Sequence, residues 1–269
     1  MFKKPKRCGE MKPLSVEVTE VVKESERVTT LYFDKNFSFN PGQFAMIWVR
    51  GVDEVPMALS SKSSITVERV GDATEHLSEI KRGETLGVRA PLGKGFNLYS
   101  GENRDLLIVG GGVGVAPLAP LAELAKAHGR RVKSLIGARR REDLIFRDRF
   151  ERAGDLKIST DDGTIGHHGS VTDLLKEEDL DRFDRIYVCG PEPMMARCLD
   201  ILREENLAMR SEFSLNRYFK CGIGICGSCC IDPEGLRVCR DGPVFSGDRL
   251  IGSEFGLYRR DQCGIKRGI

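Results

Sequence analysis

Leu106-Leu-Ile-Val-Gly-Gly-Gly-Val-Gly-Val-Ala-Pro117 is a short aliphatic run that opens into a glycine-rich turn. An uninterrupted apolar run bounded by glycine reads as a buried strand. Beyond it Leu118, Leu121, Ala122 and Ala125 recur at helical spacing, and Gly129 is a natural stop. Pro117 suits the first helical turn, where no N–H donor is needed. A strand feeding a helix through such a turn aims free backbone N–H groups at the carboxyl edge of a sheet, where a pyrophosphate can sit. Gly110, Gly111, Gly112, Gly114 and Pro117 are therefore candidate nucleotide-binding residues. A tight turn that binds nothing is the bland alternative.

Downstream the alternation continues. Val132-Lys-Ser-Leu-Ile136, Leu156-Lys-Ile-Ser159 and Arg185-Ile-Tyr-Val-Cys189 read as strands, and Met194 to Glu205 reads as a helix with Met195, Cys198, Leu199 and Leu202 toward a core. The expectation is a parallel α/β sheet. Asp161-Asp162 follows one strand and Cys189-Gly190-Pro191 another, so three strand ends offer polar or glycine groups to one sheet edge. Asp161 and Asp162 also suit an ordinary turn, and Cys189 an ordinary buried thiol. His167 and His168, between Gly166 and Gly169, suggest an exposed loop. Arg139, Arg140 and Arg141 follow a strand where an arginine can meet a 2′-phosphate, or form a solvated run.

Upstream, from Leu14 to about Tyr99, the pattern changes to short β-like segments: Leu14-Ser-Val-Glu-Val-Thr19, Val28-Thr-Thr-Leu-Tyr-Phe33 and Phe44-Ala-Met-Ile-Trp-Val49. Short strands between turns predict a small antiparallel barrel.

The cysteines are as uneven as the strands. Five of the chain's nine lie between Cys221 and Cys239, which suits metal or redox chemistry better than a dispersed disulfide framework. In Cys221-Gly-Ile-Gly-Ile-Cys226-Gly-Ser-Cys229 the spacing is C-x4-C-x2-C, the plant-type iron–sulfur pattern, and Cys239 stands further on as a fourth thiolate. Glycines at 222, 224 and 227 let such a loop curl and turn N–H groups toward sulfur. Cys230 cannot readily join, because adjacent side chains in a wrapped loop diverge. Zinc is the competing reading, although zinc ribbons bring two short C-x2-C knuckles.

Composition sets the outer bounds. The 269 residues are 40% hydrophobic, enough for a core and in favour of two domains over one. With 42 basic and 40 acidic residues, a net charge of +2 makes no field to gather nucleic acid or a membrane surface. The basic start, Met1-Phe-Lys-Lys-Pro-Lys-Arg7, is followed by no apolar segment, and the uncharged stretch from Leu106 to Ala122 is too short and too rich in glycine and proline to span a bilayer. A cytoplasmic protein is expected.

A barrel, a nucleotide-binding sheet and a cluster loop, in that order, resemble the ferredoxin–NADP reductase superfamily, and within it the electron transfer subunits of dihydroorotate dehydrogenase B. The motifs that carry this are GGGVGVAP, TDDGTIGHHGSV, YVCGPEPMM and CGIGICGSCCIDPEGLRVCRDGPVF, with PLGKGF at Pro91 to Phe96 in support. The resemblance implies a flexible N-terminus over 1–12, an FAD-binding barrel over 13–100, an NAD-binding α/β domain over 101–209, a [2Fe–2S] module over 210–245 and a tail over 246–269. It implies cluster ligation by Cys221, Cys226, Cys229 and Cys239, with Cys189, Gly190 and Pro191 beside the nicotinamide. It also implies an FMN-containing catalytic partner that oxidises dihydroorotate in pyrimidine biosynthesis, and NAD in preference to NADP. Other partners, such as a ferredoxin–NADP, sulfide or hydrogenase system, keep the cofactors and change the reaction. A zinc-bearing nucleotide-binding regulator is the non-redox alternative.

One stretch departs from the family pattern. Its flavin motif, Arg-Pro-x-Ser or Arg-x-Tyr-Ser, corresponds here to Val55-Pro56-Met57-Ala58, which lacks both guanidinium and hydroxyl. The expected grip on phosphate then falls to Lys94 and Gly95, to Gly71 and Thr74 in a Gly-x-x-Thr turn, or to Lys62.

Overall fold

A computed structural model describes residues 12–98 and 105–269. Nearly all of the basic N-terminus, and the boundary at residues 100 and 101, lie outside the described residues.

Six strands close an antiparallel barrel in the order β1-β2-β5-β4-β3-β6: β1 (Leu14–Lys23), β2 (Val28–Phe33), β3 (Phe44–Val49), β4 (Asp53–Ser61), β5 (Ser64–Glu68) and β6 (Thr85–Leu92). A short helix α1 (Asp72–Glu79) plugs it between β5 and β6. Period-two alternation decides which side chains fill it. Ala45, Ile47 and Val49 of β3 join Val16, Leu31, Leu59 and Val88 in the interior, while Phe44, Met46 and Trp48 point the other way. Phe44 and Met46 are nevertheless buried, because another part of the chain covers that outer face. Only Trp48 reaches solvent there, at 43% exposure.

The second layer is a seven-stranded sheet in the order β10-β9-β8-β7-β11-β12-β15, parallel except for the last strand. Its members are β7 (Asp105–Gly111), β8 (Arg131–Ala138), β9 (Asp155–Thr160), β10 (His167–His168), β11 (Arg185–Cys189), β12 (Ser211–Ser214) and β15 (Val244–Ser246). Leu106 to Val109 form the central strand, covered on both faces and at most 1% exposed, which is why the run carries no polar alternation. Each such side chain contributes about 1.5–3 kcal/mol of burial. Helices α2 (Leu118–Ala127) and α3 (Arg147–Ala153) share one core with one face, and α4 (Val171–Lys176) and α5 (Glu192–Glu204) share another with the opposite face. The strand order turns back between β7 and β11, and in open α/β sheets ligands bind beside such a reversal.

The cysteine loop leaves this sheet after β12 and returns to it at β15. The 210–245 segment thus begins and ends with strands of the nucleotide-type sheet. Inside it lie the hairpin β13 (Cys230–Ile231) and β14 (Leu236–Arg237) and the single turn α6 (Val238–Asp241). The stretch read as a tail is folded: Glu254 and Phe255 are buried, and β16 (Tyr258–Arg260) pairs with β17 (Lys266–Gly268). Among the described residues no helix is long and apolar enough to cross a membrane.

Candidate functional site

At the reversal point two turns press together. Cys189 at the end of β11 is the register partner of Gly110 on β7, and a β-carbon on Gly114 would fall 2.5 Å from the α-carbon of Gly190. Residues Gly112–Val115 make one tight turn before α2, whose preceding residue is Pro117, and Pro191 leads into α5. Gly111 abuts the Met194 sulfur. Part of this glycine content is therefore demanded by contact between the two turns. Gly112, with φ of +51° and open space where a side chain would project, is the member that leaves backbone accessible.

Cys189 is buried, and burial pushes its thiol up to about 12, only partly offset by a hydrogen bond with Ser214. At neutral pH it stays a neutral thiol. Asp161 and Asp162 are exposed along the same edge, after β9, two strands from β7 and three from β11. Asp162 accepts from Thr164 N–H at 3.0 Å and its hydroxyl at 2.6 Å, which hold the carboxyl below the usual range. Arg140 is engaged by Asp143 and Glu26, and Arg141 by Thr164, while His167 and His168 pair with β9 as a short strand.

On the barrel, Val55 and Met57 turn inward and pack on its core. Pro56 and Ala58 are register partners of Met46 and Phe44 and share their outer face. Val55 to Ala58 are all half-buried. The Thr74 hydroxyl accepts from Val70 and Gly71 N–H at 2.8 and 2.9 Å and donates to Gly71 carbonyl at 2.7 Å. It locks the entry to α1. Lys62 and Lys94 are exposed; the Lys94 N–H donates to Gly242 carbonyl at 2.6 Å, and Gly95 approaches the Asn40-Pro41 backbone too closely for a side chain.

The four cysteines come as two pairs. Cys229 and Cys239 sulfurs are 3.3 Å apart, and Cys226 is among the groups that lower the Cys221 thiol. Among the described residues no three metal-binding side chains converge on one ion. Backbone N–H groups point at the sulfurs: Gly224 at Cys239 (3.1 Å), Ile225 and Ile223 at Cys221 (3.3 and 3.5 Å), and Cys239 at Cys229 (3.4 Å). Burial raises Cys221, but these N–H bonds outweigh it and bring it to about 6. Cys229 falls to about 7 because the Cys239 thiol donates to it, and Cys239 rises in consequence. Gly224 has φ of +81°, and a β-carbon there would meet Arg240 at 2.7 Å, so the curl needs glycine. Paired thiolates ringed by amide donors are the donor set a bridged two-iron cluster takes. Cys230 is only half-buried and burial pushes its thiol up.

The loop packs on the outer barrel face. Phe219 meets Phe44 edge-on with ring centroids 4.9 Å apart, and Gly222 lies against Met46. Met46 is in turn the partner of Pro56, so one strand separates the loop from the candidate flavin strip. Two arginines that sequence reasoning missed join these parts. Arg89 on β6 ion-pairs with Glu54 at 2.7 Å and donates to the Cys221 carbonyl at 3.1 Å. Arg217, buried, binds Glu192 at the start of α5 and Glu254 near the C-terminus. Neither sits in a motif; Arg217's place four residues before Cys221 was the only available hint. Of the apolar residues around the loop, Phe219 is core and Ile225 is 78% exposed.

A barrel followed by a reversed parallel sheet with paired glycine turns defines the ferredoxin–NADP reductase fold, to which this chain adds a thiol loop. A solved NADH-dependent reduced ferredoxin–NADP oxidoreductase aligns with a TM-score of 0.77 at 31% identity, covering 87% of this chain and 88% of that one. A ferredoxin reductase in carbazole 1,9a-dioxygenase aligns with a TM-score of 0.67 at 22% identity, over 75% and 68%, and speaks for the fold alone. Residues 216–251 match the family model described as the iron-sulfur cluster binding domain of dihydroorotate dehydrogenase B, and residues 108–200 match the oxidoreductase NAD-binding domain. A Methanocella arvoryzae protein named "Probable dihydroorotate dehydrogenase B (NAD(+)), electron transfer subunit" is 51% identical over 96% of this chain and 100% of its own length. One of the same name from Methanocaldococcus jannaschii is 46% identical over 95% and 98%. The chain belongs to the family of dihydroorotate dehydrogenase B electron transfer subunits.

Proposed function

We propose that this chain is an electron relay in which NAD(H) docks at the crevice between β7 and β11, FAD lies on the barrel along Pro56 and Ala58, with the Met57 side chain turned into the barrel, and Cys221, Cys226, Cys229 and Cys239 hold a [2Fe–2S] cluster. When bound, the flavin exchanges hydride with nicotinamide and single electrons with the cluster. The protein's part is positional. The turns at Gly110–Gly114 and Cys189–Pro191 fix the nicotinamide end by backbone contact, and Cys189 keeps that wall neutral. Gly71 and Thr74 shape the α1 entry, and Lys94 and Lys62 are the cations available for phosphate in place of the absent guanidinium. Asp161 and Asp162 lie where the adenosine half would extend, a setting that suits the hydroxyl of NAD better than a second phosphate.

The observation that carries the reading is the packing of the cysteine loop, through Gly222 and Phe219, on Met46 and Phe44, the register partners of Pro56 and Ala58. The relatives are named electron transfer subunits of dihydroorotate dehydrogenase B (NAD(+)), which supports a catalytic partner and NAD as the other electron carrier; we read that partner as the FMN-containing subunit that oxidises dihydroorotate, and the setting as the cytoplasm. An anaerobic visible spectrum of the purified chain, titrated with NADH and separately with NADPH, tests cofactors and nucleotide together. Flavin and cluster bands bleached preferentially by NADH are expected; a colourless protein containing zinc and no iron overturns the reading. Dihydroorotate-dependent NAD reduction on mixing with the catalytic subunit tests the partner. The likeness to the NADH-dependent ferredoxin–NADP oxidoreductase favours a second reading in which another oxidoreductase is the partner, and co-purification of that enzyme in place of the dihydroorotate-oxidising subunit would select it.

A further inference from the structure

We infer that Arg89 and Glu54 on the barrel pull the reduction potential of the thiolate-bound centre in opposite directions, with Arg89 acting as a positioning residue through the Cys221 carbonyl. The inference rests on the cluster reading above and adds residues that lie in no cofactor motif of this chain.

Arg89 belongs to β6, and its guanidinium crosses the outer face of β3 to grip Glu54 of β4 by two bonds of 2.7 Å. Nη2 has a second hydrogen, which it donates to the Cys221 carbonyl at 3.1 Å. This approach depends on the residue after the thiolate being glycine: a β-carbon at Gly222 would meet Met46 at 2.7 Å and stand 3.6 Å from Nη2. The arginine side chain is 11% exposed and the glutamate 26%, so solvent screens the pair incompletely. The module's own arginine, Arg237, holds the Gly224 carbonyl at 2.9 Å from within the loop. Arg89 is the one that reaches in from the barrel.

The sign of each charge can be assigned. Reduction adds an electron to a centre already held by thiolates, so a cation at a ligand's carbonyl favours the reduced form and an anion opposes it. Arg89 and Glu54 act in opposite directions and nearly balance. Removing either one alone exposes the other.

The test is an electron paramagnetic resonance redox titration of the holoprotein. Arg89→Gln should lower the potential and Glu54→Gln should raise it, each by about a tenfold change in the reduced-to-oxidised ratio at fixed potential, about 59 mV for one electron. The double variant should return toward wild type, and Arg89→Lys should keep the wild-type sign. A purely structural pair would lower thermal stability in both single variants and move both potentials the same way or not at all, which would overturn the inference. Should Arg89→Gln fail to assemble iron, Glu54→Gln alone still decides by the direction of its shift. A wild-type protein without an iron signal would instead sink the cluster reading, a distinguishable result.

Discussion

The sulfurs of Cys229 and Cys239 stand 3.3 Å apart although ten positions separate them in sequence. The hairpin β13–β14 brings them together: Cys230 pairs with Arg237 across it, so the residues on either side are returned to one place. Cys221 and Cys226 form the other pair within a single glycine-hinged curl. A centre with two metal ions needs two such pairs, the arrangement that the proposed cluster would use.

Serine at Cys226 or Cys239 should therefore abolish iron and sulfide retention, with loss of absorbance in the visible region. Serine at Cys230 should leave both intact, since its side chain sits outside the pairs. Iron and acid-labile sulfide per chain, measured anaerobically, check the contrast.

Gly114→Ala should weaken NADH binding by tenfold or more, because the new methyl meets the Gly190 backbone and must pry the two turns apart. Gly129→Ala is the control. Its φ is +73° but the space beside it is open, so it should cost about 1 kcal/mol of stability and leave binding unchanged. Fluorescence quenching titrations with NADH read the difference.

Arg217→Met should destabilise the fold by about 3–5 kcal/mol, since Glu192 and Glu254 would remain buried without their shared cation. Urea unfolding at neutral pH measures it. Because Glu192 opens α5 directly after Pro191, nucleotide affinity should fall in the same variant.

Cys198 gives a pH signature. Burial inside α5 lifts its thiol from an ordinary 9.0 to about 12. The folded state holds that proton more tightly than the unfolded state, so the contribution is complete below pH 9 and is lost as pH rises toward 12, at up to about 1.4 kcal/mol per pH unit. Cys189 behaves in the same way. Cys198→Ala should make the decline of unfolding free energy between pH 9 and 11 shallower than in wild type.

Much of the scaffold was legible locally. Leu106–Val109 read as a buried strand because only an unbroken aliphatic run satisfies a strand covered on both faces. The apolar β-like run Phe44–Val49 marked a barrel strand, and Met195, Cys198, Leu199 and Leu202 marked the inner face of α5. The glycine turn was read for phosphate, and the structure adds a second demand on it, the contact between Gly114 and Gly190. Thr74 offered its hydroxyl in sequence and uses it to close its own turn. Arg89 and Glu54 were invisible as a pair, since nothing in a sequence says that residues 35 positions apart share a surface under a cysteine loop.

The sequence by itself determined the spacing of thiols, the glycines that let their loop curl, and the strand-turn-helix unit, because each depends on backbone freedom and side-chain period over a few residues. Only the tertiary structure decided which barrel face the loop would cover, that strands on both sides of it would join the nucleotide-type sheet, and that Arg89 would reach Cys221. Those outcomes come from burying Phe44, Met46 and Phe219 together, a saving of apolar surface that no short segment can achieve alone.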